Sequence, residues 1–154
     1  MEVYEVVIPY DKGLTNFDII KYSEKLHIPH FRGVFMRDEL KDDPLLQECG
    51  IVNFNTSKEA GSHWVCYMKD HDKRLYFDSF GQVTPFEIQK YLKTGYEFEN
   101  GIPVIQRNTD IVQRSYTHVC GHLCLFLLTS FMREHLSYQE ALDILNNGYS
   151  QGDW

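Results

Sequence analysis

The run CGHLCLFLLTSFM at residues 120–132 constrains this chain more than any other stretch. It is apolar nearly all the way round for three turns. A helix with no polar face has to be enclosed by the rest of the fold. The run carries a His and falls short of the roughly 20 apolar residues that span a bilayer. It therefore reads as a buried central helix in a water-facing domain. A length of 154 residues with 43% hydrophobic content suits one domain, residues 1–154, with a real core.

The elements that must surround this helix are legible in outline. TNFDIIKYSEKLHI predicts a first helix, with Thr15 as N-cap and Asp18 three residues on. HFRGVFMRDEL predicts a short strand running into a turn or a helical turn, KDDPLLQECG a surface connection, and GIVNFN a further strand. In TPFEIQKYLKTG, Thr84 is expected at the N-cap, Pro85 at N1 and Gly95 at the close. PVIQRNTD predicts another strand. SYQEALDILNNG predicts a last helix, with Ser137 and Glu140 as a capping box and Gly148 at C′. Strands in the middle and helices at both ends give the α+β class.

SHWVCYM and KRLYFDSF flank KDHD and predict a β-hairpin. An even loop centred between His71 and Asp72 sets Lys69 opposite Arg74 and Val65 opposite Asp78. His63 then shares a face with Asp78, as a diagonal neighbour roughly 7–8 Å away at Cα, within reach of a side-chain hydrogen bond. An odd loop would put the two on opposite faces.

Cys120 opens the buried helix, where the positive end of the helix dipole favours a thiolate. Gly121 behind it would let a substrate backbone come close. Gln113 can offer an amide N–H to a developing oxyanion, with the Cys120 backbone N–H as second donor. The four roles of a thiol hydrolase are then present. Cys120 attacks, His63 exchanges the proton, Asp78 holds the imidazole tautomer and Gln113 helps bind the oxyanion. Cys124, one turn along the same helix, reads as a core cysteine.

A metal site is not expected. His118, Cys120, His122 and Cys124 alternate, and alternate residues on a helix diverge by about 200°. No cofactor is called for. Fifteen basic against 22 acidic residues, a net charge of −7, argue against a protein whose main work is gripping nucleic-acid backbone. MEVYEVVIPY is too mixed for a secretory h-region, so a soluble protein of a reducing compartment with free thiols is expected.

GSHWVCY, YFDSFG and Q-x6-CGHLC, in that order, resemble the adenovirus maturation protease (adenain) family. Its wider relatives are the proteases of ubiquitin-like proteins. GVFMRDEL is similar to the adenain-like proteases of Polinton/Maverick elements and virophages. The seven-residue step from Gln113 to Cys120 fits adenain better than the SUMO proteases, whose step is usually one shorter. The resemblance covers roughly residues 31–131. It implies a papain-like, adenain-like fold with a central mixed sheet on the nucleophile helix, the triad His63, Asp78 and Cys120, and Gln113 as oxyanion residue. It assigns Trp64 to a narrow substrate channel for small residues. It further implies a thiol endopeptidase that matures viral or mobile-element capsid precursors at Gly-containing sites, in host-cell cytoplasm, virus factory or virion. The family's tethered cofactor peptide needs a cysteine that residues 67–119 lack. No nucleic acid or membrane is expected to be required. The competing expectations are an isopeptidase for SUMO- or ubiquitin-like modifiers and a catalytically dead peptide-binding module.

Overall fold

The computed structural model describes residues 1–58, 63–94, 104–113 and 117–147. In chain order the elements are β1 (Glu2–Val3), β2 (Val6–Val7), α1 (Asn16–Lys25), β3 (Phe31–Met36), β4 (Gln47–Asn53), β5 (Trp64–Asp70), β6 (Lys73–Phe77), α2 (Phe86–Leu92), β7 (Ile105–Arg107), α3 (Cys120–Leu128) and α4 (Tyr138–Asn147). A π-helical turn over Thr129–Arg133 continues α3.

Strands β3 to β7 form one mixed sheet in sequence order. Its centre is antiparallel, β4 with β5 and β5 with β6. Both edges run parallel to their neighbours, β3 with β4 and β7 with β6. The sheet is covered on both faces, so its central strands are apolar at almost every position rather than at alternate ones. Cys49 and Ile51 of β4, Cys66 and Met68 of β5, and Leu75 and Phe77 of β6 share a core with α3. Val52, Val65, Tyr67 and Tyr76 pack on the other face against Ile88, Tyr91 and Leu92 of α2. All nine residues of α3 are buried, as its lack of a polar face requires.

Local chemistry sets most boundaries. The Thr15–Asp18 capping box starts α1, with both reciprocal bonds formed at 2.9 and 3.1 Å. Ser137 and Glu140 do the same for α4. Helix α2 begins one residue later than expected. Pro85 itself takes the N-cap position, and Thr84 is buried instead of capping. The expected stops at Gly95 and Gly148 lie outside the described residues.

KDDPLLQECG is not simply a surface connection. Its last four residues open β4, and Glu48 is fully buried there. Its Oε1 accepts from the Tyr67 hydroxyl at 2.7 Å and the Tyr91 hydroxyl at 2.6 Å. Its Oε2 takes the Leu45 N–H at 2.5 Å and lies 3.4 Å from Arg32 and 3.7 Å from Lys69. A buried carboxylate is tolerated only with such a shell of donors. Burial pulls the Lys69 ammonium down to about 8, against the Glu48 charge that holds it up. Gly50 makes room for the arrangement, since a Cβ there would stand 2.7 Å from the Tyr67 ring.

Candidate active site

The β5–β6 hairpin has the register that the even loop demands. Asp70 pairs with Lys73, Lys69 with Arg74 and Cys66 with Phe77, leaving His71 and Asp72 as a two-residue turn. His71 takes a left-handed φ of 57° to close it. One step further along the ladder sets Val65 opposite Asp78, with His63 on the same face. The β4–β5 pairing also continues past its last ladder pair, the Phe54 N–H donating to the His63 carbonyl at 2.7 Å. His63 Nε2 then lies 2.6 Å from Asp78 Oδ1. The imidazole sits between the Phe54 and Phe80 rings, at centroid distances of 5.9 and 5.1 Å.

Asp78 is fully buried and held on several sides. Its Oδ1 also accepts the Phe80 N–H at 2.9 Å, and Oδ2 the Gln82 N–H at 3.3 Å. The Asn108 side chain clamps its backbone, accepting from the Asp78 N–H at 3.0 Å and donating to the Asp78 carbonyl at 2.6 Å. Gly81 turns the chain here with φ 66°, and a Cβ at that position would meet the Thr109 carbonyl oxygen at 2.5 Å. Sequence reasoning missed Asn108, which sits in a polar stretch with no local signal and works on a residue 30 positions away.

Cys120 is the first residue of α3, where a backbone N–H has no intrahelical acceptor. Its Sγ accepts the Trp64 N–H at 3.4 Å. With Nε2 committed to Asp78, Nδ1 is the His63 nitrogen left for the thiol. Burial alone would depress the His63 pKa. The hydrogen bonds and charges of Asp78 and Cys120 outweigh it and hold the imidazole up to about 9. Burial pushes the thiols of Cys49 and Cys124 well up. All four cysteines are free.

Trp64 lines the cleft, and its indole Nε1 donates to the Leu14 carbonyl at 2.8 Å. The expected approach of a substrate to Gly121 is not what the geometry gives. Gly121 is buried, and a Cβ on it would meet Leu14 and Trp64 at 3.3 Å each. The position packs the Trp64 indole onto α3. His122 is turned away from Cys120, its Nε2 2.6 Å from the Pro9 carbonyl. Burial lowers its pKa, so this His is a neutral anchor for the N-terminal segment. Among the described residues no three His, Cys, Asp or Glu side chains gather as a metal site, and no helix is long and apolar enough to cross a membrane.

Gln113 is 3% exposed and lies at the cleft with Cys120. Its Oε1 is 2.5 Å from Ser79 Oγ, and its Nε2 donates to the Thr117 carbonyl at 3.0 Å. Three of the four residues singled out from the sequence, His63, Gln113 and Cys120, thus line one cleft of about 1000 Å³, and Asp78 lies buried behind His63. The walls of the cleft come from the N-terminal segment (Leu14), the end of β3 (Val34, Phe35), the end of β4 (Phe54) and the turn after β6 (Phe80). Glu39 stands at its edge.

No family model matches the chain, and no curated protein sequence matches it either. Solved structures do. The crystal structure of ASFV pS273R protease superposes with a TM-score of 0.57 at 18% identity over 85% of this chain. The selenomethionine form of the same protease gives 0.56 at 17% identity, again over 85%. The chain spans 61% and 62% of those two structures. The fold of this α+β chain is therefore that of a papain-like, adenain-like cysteine protease.

Proposed function

We propose that the protein is a cysteine peptidase with His63, Asp78 and Cys120 as its triad and Gln113 as oxyanion residue. One observation carries this reading. A single imidazole has its Nε2 on the buried Asp78 carboxylate and the helix-opening Cys120 as its other partner. A fold shared with a protease of ASFV supports it.

The chemistry follows from the geometry. The raised His63 pKa keeps the imidazole protonated at neutral pH, the state that pairs with a Cys120 thiolate. The thiolate attacks the scissile carbonyl carbon, and the carbonyl oxygen takes up the negative charge. Two N–H groups meet that charge, one from the Cys120 backbone and one from the Gln113 amide. As the C–N bond breaks, His63 gives its proton to the leaving amine. His63, now neutral, takes a proton from water as the water attacks the thioester, and the acid product leaves with Cys120 restored. Asp78 accepts from Nε2 and fixes the ring.

The substrate is a polypeptide, and we assign it to capsid precursors cut at Gly-containing sites. Co-expression of wild type and Cys120→Ala with the structural proteins of the same genome, followed by mass spectrometry of new termini, tests it. New termini after Gly, absent with Cys120→Ala, are expected. Release of a modifier from its conjugates with the structural proteins uncut would move the enzyme to the isopeptidases. Failure of Cys120 to react with any peptide electrophile would make the cleft a binding site only.

A further inference from the structure

We infer that Ser79 is a positioning residue for the oxyanion hole, its hydroxyl holding the Gln113 amide in the orientation that the Thr117 carbonyl selects, with a nitrogen and not an oxygen facing the reacting carbonyl. The inference rests on the peptidase reading for its catalytic meaning, but its geometry stands alone.

A carboxamide is nearly symmetric in shape, and turning it over exchanges oxygen for NH₂ at almost no steric cost. A Gln used to stabilise an oxyanion therefore needs something to tell its two ends apart. The Gln113 amide has two polar neighbours. One is the Thr117 carbonyl oxygen, 3.0 Å from Nε2. A carbonyl can only accept, so nitrogen has to face it. The other is Ser79 Oγ, 2.5 Å from Oε1. With nitrogen committed to Thr117, the Ser79 hydroxyl has to donate. The Thr117 carbonyl selects the orientation, and the Ser79 hydroxyl, which can donate or accept, then locks Oε1 into it. Nε2 carries two hydrogens, and the second remains for the oxyanion in the cleft that Gln113 and Cys120 line together.

Ser79 is fully buried, so no water stands ready to replace its hydroxyl. Its main chain braces the same residue. The Ser79 carbonyl accepts the Gln113 N–H at 3.2 Å and the Val112 N–H at 2.9 Å. Those two bonds survive removal of the side chain. Ser79→Ala therefore releases the amide while the backbone that carries it stays in place. The dipeptide Asp78–Ser79 also gives the segment two outputs. Asp78 follows β6 and Ser79 lies in the turn that the Gly81 N–H closes onto the Asp78 carbonyl at 2.8 Å, and from there Asp78 reaches His63 and Ser79 reaches Gln113.

The test is a double-mutant cycle with an assay that needs no turnover. Ser79→Ala is expected to lower kcat by about 10–100-fold with KM little changed, less than the roughly 10²–10³-fold loss of an oxyanion donor itself. Ser79→Ala/Gln113→Ala is expected to be no slower than Gln113→Ala alone, because a positioner has nothing left to position. Independent losses that multiply would overturn the proposal. The second assay follows the Gln113 side-chain ¹H–¹⁵N signals, identified by their disappearance in Gln113→Ala. Two well-separated, exchange-protected protons are expected in the parent, collapsing toward free-amide positions in Ser79→Ala. Unchanged signals sink the role of Ser79, whether or not a substrate is known. Ser79→Cys, close in volume and a weak donor, reads the same way if the alanine variant does not fold. A parent protein that cleaves no peptide, with the amide signals behaving as described, counts instead against the peptidase assignment.

Discussion

Asp78→Asn separates charge from shape at the centre of the site. The side chains are near-isosteric, but Asn has one oxygen, so only one of the Phe80 and Gln82 N–H groups keeps its acceptor and the other faces the amide NH₂, a cost that does not vary with pH. The negative charge 2.6 Å from His63 Nε2 is lost. In the parent the imidazole titrates at about 9, against 6.5 for an unperturbed ring. A group whose pKa is raised on folding stabilises the folded state fully below its unfolded pKa, and that stabilisation fades as pH rises through the folded value. The shift corresponds to about 3 kcal/mol near pH 6, roughly half that near pH 7.8 and under about 0.5 kcal/mol at pH 9. Asp78 supplies the largest upward part, with Cys120 second. Urea unfolding of parent and Asp78→Asn at several pH values should therefore give a stability gap that is widest near pH 6 and narrows steadily toward pH 9. The His63 ring followed by NMR should titrate at markedly lower pH in the variant. Turnover at neutral pH should fall by about 10²–10⁴-fold, because Asn can hold the ring in the wrong tautomer. A gap independent of pH, or an unmoved His63 titration, would refute the argument that this carboxylate sets the charge of the ring.

Other tests reach different parts of the molecule. Iodoacetamide at neutral pH should label Cys120, at the cleft, well before Cys49 and Cys124, which are wholly buried and have raised pKa values; peptide mapping reads the order, and equal labelling of all four would contradict it. Gly50→Ala should cost about 1–3 kcal/mol by urea unfolding, since the new methyl meets a Tyr67 ring that its bond to Glu48 prevents from retreating. With 22 acidic and 15 basic residues, turnover in reductant should need no DNA; a tenfold rise on adding DNA, lost at high salt, would show a polyanion site that the overall charge conceals.

Much of the site is legible because it is written locally. The Thr15–Asp18 box, the two-residue turn at His71–Asp72 and the all-apolar run from Cys120 each announce a structure within a few residues. The hairpin register then brings His63 to Asp78 without any knowledge of the rest of the fold. What is not legible depends on distant partners. Glu48 looks like a surface acid until Tyr67 and Tyr91 are seen to reach it from 19 and 43 residues away. Ser79 and Asn108 look like turn formers, and their work lies 34 and 30 positions off. Gly121 misleads in a different way. Its small size suggests room for a substrate, whereas the room is taken by Trp64 and Leu14. The pairing of the two edge strands, parallel and by crossover, leaves no trace in any short window.

The sharp turn between β5 and β6 also acts as a safeguard against error. Slipping this hairpin by one residue exchanges its two faces. The slip would swing Asp78, the residue just past β6, away from His63. A misassembled chain would lose the partner of its base and, with it, about as much turnover as Asp78→Asn loses. For an enzyme made among the proteins it is proposed to cut, a folding error then lowers cutting and does not redirect it.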